Sequence, residues 1–191
     1  MLYNVVLFLH ILGAVIMFMA IAILALSMLS MLQSKDTENV KRWSGLAVKT
    51  DGLFPMSTVL ILLPALYLVF SAWGWGTAWI NVSLAALLGT SILGPVINLR
   101  RLKGILAAAE AETDAVPSPA LMNKVRDRVL WNSVSIMSML VLGILFLMAV
   151  KLALLGSLIT MVLAVAFGFG IAQVILSKTR PETSTDTVSF R

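Results

Sequence analysis

Long apolar runs separated by polar segments dominate the chain, and they predict membrane-spanning helices. A transmembrane helix needs about 20 predominantly apolar residues. Only Lys151 interrupts the last apolar stretch, yet a single helix over residues 134–176 would be about 65 Å long, roughly twice the hydrocarbon thickness. The predicted fold is therefore an all-α, polytopic transmembrane helix bundle. Its five spans are expected at residues 2–32, 53–73, 79–99, 129–150 and 152–177.

Two polar connections join these spans on one side. Residues 33–52 are expected to form a polar segment between the first and second spans. Residues 100–128 form the longest connection, and its first part is helix-prone enough to continue the third span. Ser118 followed by Pro119 matches the N-cap and first position of a new helix, which would lead into the fourth span.

The basic residues predict an orientation. With the N-terminus outside, 13 of the 14 lysines and arginines fall in cytoplasmic segments, and only Lys151 faces outside. Cytoplasmic loops of membrane proteins carry such an excess of positive charge. We therefore expect a multi-pass protein of the bacterial cytoplasmic (inner) membrane, with the N-terminus outside and the C-terminus in the cytoplasm.

Composition agrees with lipid as the solvent and excludes several functions. Hydrophobic residues make up 60% of the chain and charged residues 12%, against roughly a quarter charged in a soluble domain. The net charge is +5, but the basic residues alternate with apolar runs, so the expected partner is the lipid bilayer and not nucleic acid. Cysteine is absent, which excludes disulfides and thiolate metal sites.

No sequence motif of a catalytic centre or a metal site is present, so neither kind of residue is assigned. None of the acidic residues lies inside a predicted span. Proton-coupled transporters usually depend on an intramembrane carboxylate, because a charge in the membrane is costly and is kept only for function. This absence argues against proton-coupled transport.

His10 is the one ionisable side chain inside a predicted span. Imidazole is a common axial ligand of haem iron, and Gly13, Ala14 and Met17 share its helix face, so small neighbours would let a flat macrocycle approach. A second axial ligand for haem b would have to be a methionine, Tyr67, water or a group from a second subunit. The alternative is a neutral histidine that is hydrogen-bonded to another helix or to interfacial water.

Small residues recur at four-residue spacing along the fifth span, which allows close contact between helices. They are Gly156, Thr160, Ala164, Gly168 and Ala172. The contact is made either with a helix of the same chain or with a membrane partner or second copy, and the sequence leaves both open.

Polar residues also occur within the third and fourth spans. Ser91 and Asn98 lie near Pro95 in the third span, and Asn132 and Ser138 lie at similar depth in the fourth. Hydrogen bonds between helices are one role for these residues. A substrate pocket is the other.

Several short motifs resemble a known family when their order is considered. The opening stretch LHILGA at residues 9–14 is similar to the start of a bacterial family of predicted integral membrane proteins of unknown function (domain of unknown function 2269). Residues 74–79, 98–102 and 147–151 resemble the same family. The resemblance covers about residues 1–151 and implies a four-helix membrane unit.

Leu152 stands where this family would have proline, and the fifth span follows it. We therefore expect a four-helix membrane unit at residues 1–151, an additional fifth span at 152–177, and a disordered cytoplasmic tail at 178–191. The opening histidine and glycine also resemble, distantly, the copper-resistance D proteins and the haem-binding protoporphyrinogen oxidases. That resemblance implies a haem- or metal-binding role for His10.

Three functions follow from these observations. The first is a non-catalytic inner-membrane protein that acts in a membrane assembly or handles a small apolar molecule. The second is a haem-b-binding redox protein that uses His10. The third is a small-molecule permease in which Pro64 and Pro95 kink their helices and free backbone carbonyls.

Overall fold

The computed structural model describes residues 1–179, so most of the predicted disordered tail lies outside the described residues. Within that part the chain is helical, without strands, and five helical segments are long and apolar enough to cross a membrane. These segments are Leu2–Gln33, Thr37–Trp73, Ala78–Ala111, Pro119–Val150 and Leu154–Lys178. The prediction of an all-α bundle with five spans is confirmed.

Eight α-helices and two π-helical segments build these five stretches. In chain order they are α1 (Leu2–Gln33), α2 (Thr37–Asp51), α3 (Leu53–Leu68), a π-helical segment (Val69–Trp73), α4 (Ala78–Gly94), a second π-helical segment (Pro95–Leu99), α5 (Arg100–Ala111), α6 (Pro119–Val125), α7 (Arg128–Val150) and α8 (Leu154–Lys178). The third span thus continues into α5, as the sequence predicts.

The polar segment expected at residues 33–52 is largely helical. The Asp36 carboxylate accepts a hydrogen bond from the Asn39 backbone N–H at 2.7 Å and caps the start of α2. Val40 and Ala47 are fully buried, whereas Glu38, Lys41, Arg42 and Lys49 are exposed on the other face of α2. An amphipathic helix of this kind has no long apolar run, so a search for apolar runs does not reveal it.

The two intramembrane prolines lie close to the π-helical segments. Pro64 lies inside α3, one turn before Val69–Trp73, and Pro95 begins the second segment. Because proline has no backbone N–H, it removes one hydrogen bond from the helix and the neighbouring bonds must adjust. The helices continue past both prolines with a locally wider turn.

The connections around α6 and α7 follow the local sequence signals. Ser118 Oγ accepts a hydrogen bond from the Leu121 backbone N–H at 3.2 Å, and Pro119 is the first helical residue, as predicted. After Val150, Lys151 adopts a left-handed conformation with φ of 57° and donates its backbone N–H to the Leu147 carbonyl at 2.8 Å. This cap ends α7 and lets the chain turn back into α8.

The two ends of the bundle differ. We call the end that carries α2, α5 and α6 the capped end, and the end with the turns at residues 74–77 and 151–153 the loop end. At the capped end the amphipathic helices bury their apolar faces against α1, α7 and α8. This core comprises Leu24, Met28, Met31, Leu32, Val40, Ala47, Leu102, Ile105, Ala109, Leu121, Val125, Leu130, Trp131, Val134 and Ala172.

Candidate ligand-binding cavity

A cavity of about 290 Å³ lies between the capped end and the middle of the bundle, among α1, α3, α4, the segment Pro95–Leu99 and α7. Its walls are mainly apolar. The polar residues that line it are Asp51, Thr58, Thr90, Ser91, Asn98 and Ser138. Small-molecule sites are typically clefts of roughly 300–1,000 Å³ with apolar walls and a few polar groups, so this cavity lies at the small end of that class.

Three of the four hydroxyl groups around the cavity, those of Thr90, Ser91 and Ser138, donate their hydrogens to their own helices. Ser91 Oγ donates to the Leu87 carbonyl and Ser138 Oγ to the Val134 carbonyl, each at 2.7 Å. Thr90 Oγ1 donates to the Leu87 carbonyl at 3.0 Å. Serine and threonine inside membrane helices commonly satisfy their hydrogen in this way, and the oxygen atoms then remain as acceptors.

The cavity is open toward the lipid between α3 and α4. These two helices hardly touch along their length, and Thr58 Oγ1 lies 3.3 Å from Ser91 Oγ in a hydrogen bond that links them. Val59 and Pro55 both line the cavity and both belong to the outer surface, with Val59 53% exposed. The cavity therefore has exposed residues of the bundle in its wall between α3 and α4.

Asn98 is buried in the second π-helical segment, with 5% of its surface exposed. Its Nδ2 donates to the Met137 sulfur at 3.4 Å, a weak contact that links this segment to α7. Its Oδ1 has no hydrogen-bond partner. A buried amide oxygen without a partner is costly, so this atom is a candidate contact for a bound molecule.

Asp51 is the charged residue that lines the cavity, and it is 5% exposed. Within residues 1–179 its carboxylate forms no ion pair, since the ion pairs of that part are Arg42–Glu38 and Arg101–Asp127. Lys103 on α5 is exposed and attracts the carboxylate only from a distance. The chain thus places a buried carboxylate beside an apolar cavity.

Sequence reasoning missed Asp51 because it placed this residue in a polar connection outside the second span. The missed signal is the spacing of α2, in which Thr37, Val40, Ser44 and Ala47 are buried and Asp51 continues the same helical face. Only Gly52 separates α2 from α3, so the last residue of that face, Asp51, lies next to the residues of α3 that line the cavity.

His10 lies on α1, where it joins α1 to α3. Its Nδ1 is 2.9 Å from the Ile61 carbonyl oxygen in a buried hydrogen bond. A carbonyl oxygen only accepts, so Nδ1 carries the proton in this contact. One turn further, a Cβ placed on Gly13 would lie 2.9 Å from the Leu60 and Ile61 backbone. The histidine and the glycine together hold α1 close against α3.

The surroundings of His10 do not fit a haem. The ring lines a second cavity of about 40 Å³, nearer the loop end, together with Ser83, whose buried Oγ has no partner. This volume is far below the roughly 300 Å³ at which cofactor sites begin. The space above Gly13, which a macrocycle would need, is filled by α3. Elsewhere in residues 1–179, no group of three histidine or acidic side chains could hold a metal ion.

An apolar layer separates the two cavities. It consists of Met17, Ile61, Leu87 and Ile144, which are all buried and pack against one another. Met17 lines the cavity beside Asp51, and the other three line the cavity beside His10.

Most of the chain matches a known protein family. Residues 4–152 match the family described as predicted integral membrane protein (DUF2269). The chain belongs to this family. No curated protein and no solved structure matches it.

The residues matched to DUF2269 contain every residue that lines the larger cavity, whereas α8 follows the match. Part of the small-residue stripe of α8 packs against α7 of the same chain. A Cβ placed on Gly168 would lie 2.5 Å from the Ile136 Cα, and Ala164 and Ala172 are also buried. Gln173 adds a hydrogen bond from its Nε2 to Asn132 Oδ1 at 3.0 Å.

The other two small residues predicted for this stripe contact α8 itself or the turn before it. Thr160 Oγ1 donates to the Gly156 carbonyl at 2.9 Å. The atoms nearest to a Cβ on Gly156 belong to Leu152. The close approach of α7 and α8 is thus concentrated in the half of α8 toward the capped end.

Proposed function

We propose that this membrane protein binds a small, largely apolar molecule that enters the cavity from the bilayer, and that it does so without catalysing a reaction. The single observation that carries the proposal is an apolar cavity of about 290 Å³ with an opening on the lipid-facing surface. Lipid chains do not need a built polar site, so the buried polar atoms of the cavity favour a specific amphiphile.

The location of the polar groups supports this proposal. Asp51 and Asn98 lie toward the capped end, and Val59 and Val141 lie further along the bundle. A bound amphiphile would place its head group near Asp51 and Asn98 and its tail toward Met17. The tail would end at the apolar layer between the cavities.

Filling the cavity tests the proposal. In nanodiscs, a photoactivatable fatty alcohol with a diazirine in its chain should label the wild-type protein on cavity residues such as Thr58 and Met137, as mapped by peptide mass spectrometry. The variant Ser138→Phe places a ring in the cavity and should lose most of this labelling. Leu142→Phe adds the same ring on the exposed surface of the same helix and should retain it. Labelling confined to the exposed surface and equal in all three proteins would overturn the proposal.

We also propose that the N-terminus lies outside and the C-terminus in the cytoplasm of a bacterial inner membrane. The distribution of basic residues supports this, because within residues 1–179 Lys151 is the one lysine or arginine at the loop end and the others lie near the capped end. The absence of cysteine makes single-cysteine labelling simple. In intact spheroplasts, an impermeant maleimide should label Lys151→Cys but neither Lys41→Cys nor Lys124→Cys until the membrane is permeabilised. The reverse pattern would invert the topology.

A further inference from the structure

We propose that the molecule bound in the cavity carries a positively charged, hydrogen-donating head group, so that the ligand class is an amphiphilic amine held by Asp51 and Asn98. This inference rests on the proposed function, since it names the class of molecule that the same cavity binds. The observations that carry it are the hydrogen-bonding capacity and the charge of the groups around the cavity.

Two acceptor groups beside the cavity, on Asn98 and Asp51, have no donor paired with them in residues 1–179. Asn98 Nδ2 donates one of its two hydrogens to the Met137 sulfur, whereas the Oδ1 of the same amide is buried without a partner. The hydroxyls of Ser91 and Ser138 donate to helix carbonyls. In its ionised form the Asp51 carboxylate only accepts. A ligand that satisfies these atoms must therefore supply donors, and an ammonium group supplies up to three.

The charge of the cavity selects among donors. A carboxylate buried in an apolar setting is costly unless a cation or several hydrogen bonds compensate for it. Within residues 1–179 no cation forms an ion pair with Asp51. A bound ammonium would supply both the charge and the hydrogen bonds, an alcohol would supply one hydrogen bond, and an anion would be repelled.

Lys103 is the side chain that competes with such a ligand. It lies on α5 at the capped end, is exposed to solvent, and its positive charge partly offsets the cost of burying the Asp51 carboxylate. If Asp51 serves only to attract Lys103, removing either charge removes the same attraction within the protein. Neither substitution then changes ligand binding. If Asp51 binds a cationic ligand, removing Lys103 relieves competition and strengthens binding.

The test compares three molecules that share one ten-carbon tail: decylamine, 1-decanol and decanoate. Each is titrated against the photoactivatable fatty alcohol bound to the full-length protein in nanodiscs of neutral lipid. In the wild type, decylamine should displace the probe at the lowest concentration and decanoate at the highest. In Asp51→Asn the advantage of decylamine over decanol should fall roughly tenfold or more, since hydrogen bonds to charged groups contribute about that factor. Lys103→Met should increase the advantage.

Asp36→Asn is the matched control. It removes a carboxylate at the same end of the bundle that does not line the cavity. Asparagine can still cap the start of α2. It should leave the order of the three molecules unchanged. The wild-type series tests the proposal even if the Asp51 variant fails to fold.

The outcomes separate this inference from the proposed function. If decylamine and decanol displace the probe equally from the wild type, the cavity binds amphiphiles but the head-group assignment is overturned. The assignment also fails if the advantage of decylamine survives in Asp51→Asn. If none of the three molecules displaces the probe, the proposed function itself falls.

Discussion

Gly168→Ala is expected to destabilise the protein by about 1–3 kcal/mol, the usual cost of forcing extra atoms into a packed interior. The added methyl would lie 2.5 Å from the Ile136 Cα and 2.8 Å from the Ser135 carbonyl oxygen. Both contacts are with backbone, which cannot rotate away, so α8 has to move away from α7. Thermal unfolding in detergent, followed by tryptophan fluorescence, measures the loss.

Gly170→Ala is the control for this substitution. It lies two residues along the same helix, and a Cβ there meets nothing within 4 Å. Since alanine favours helix over glycine, the control should unfold at the same temperature as the wild type or slightly higher. Equal unfolding temperatures for Gly168→Ala and Gly170→Ala would show that α7 and α8 are not in this close contact.

The same variant tests the division of the chain into two parts. We propose that residues 1–151 form the unit that holds the cavity and that α8 braces it from outside, because α8 contributes no residue to the cavity wall. Gly168→Ala should then keep its cavity photolabelling while losing stability. Loss of labelling in protein that remains folded would place α8 within the binding unit.

Gly13→Ala is expected to have the second large effect, again about 1–3 kcal/mol of lost stability. Its new methyl would lie 2.9 Å from the Ile61 nitrogen and from the Leu60 carbonyl carbon. Relief of this clash pushes α1 away from α3 and stretches the adjacent hydrogen bond from His10 to Ile61. Unfolding temperature in detergent is the readout.

Gly89→Ala serves as the control for Gly13, because a Cβ on this glycine of α4 also meets nothing within 4 Å. A hydrogen bond between membrane helices contributes only about 0.6 kcal/mol, so most of the loss in Gly13→Ala is expected to come from the clash and not from the stretched His10 bond. An unchanged unfolding temperature in Gly13→Ala would contradict the close packing of α1 on α3.

The features that the sequence predicts well are those that depend on local chemistry or on total hydrophobicity. Each span is long and apolar because lipid requires it, and backbone groups in lipid must be satisfied within a helix. Ser118 caps a helix because its hydroxyl can reach a free N–H nearby. Lys151 marks the turn because a charge is excluded from the apolar stretch around it. None of these inferences needs to know how the helices are rotated.

The cavity depends on helix rotation, which hydrophobicity does not determine in this chain. Apolar residues surround most positions of the spans, so no stripe distinguishes the side that faces lipid from the side that faces the bundle. Ser91, Asn98 and Ser138 are visible as polar residues, and a pocket was one of their two predicted roles. That they share a cavity with Asp51 follows only from the continuous course of α2 into α3.

The spacing of His10 and Gly13 shows how one motif fits two roles. A histidine with a small residue one turn away is compatible with haem ligation and with close helix packing. The structure uses the spacing for packing, since both residues contact the stretch of α3 just before Pro64. Which role applies depends on what lies opposite, and that is set by α3 and not by the motif itself.

A crystal structure determined in a lipidic mesophase, with the protein never stripped of lipid, would test the central claim most directly. The account predicts elongated density in the cavity that enters between Val59 and Ser91 and reaches the Asn98 Oδ1 and the Asp51 carboxylate. Direct contact of α3 with α4 along their whole length, with the cavity closed and Asp51 paired to Lys103, would contradict it.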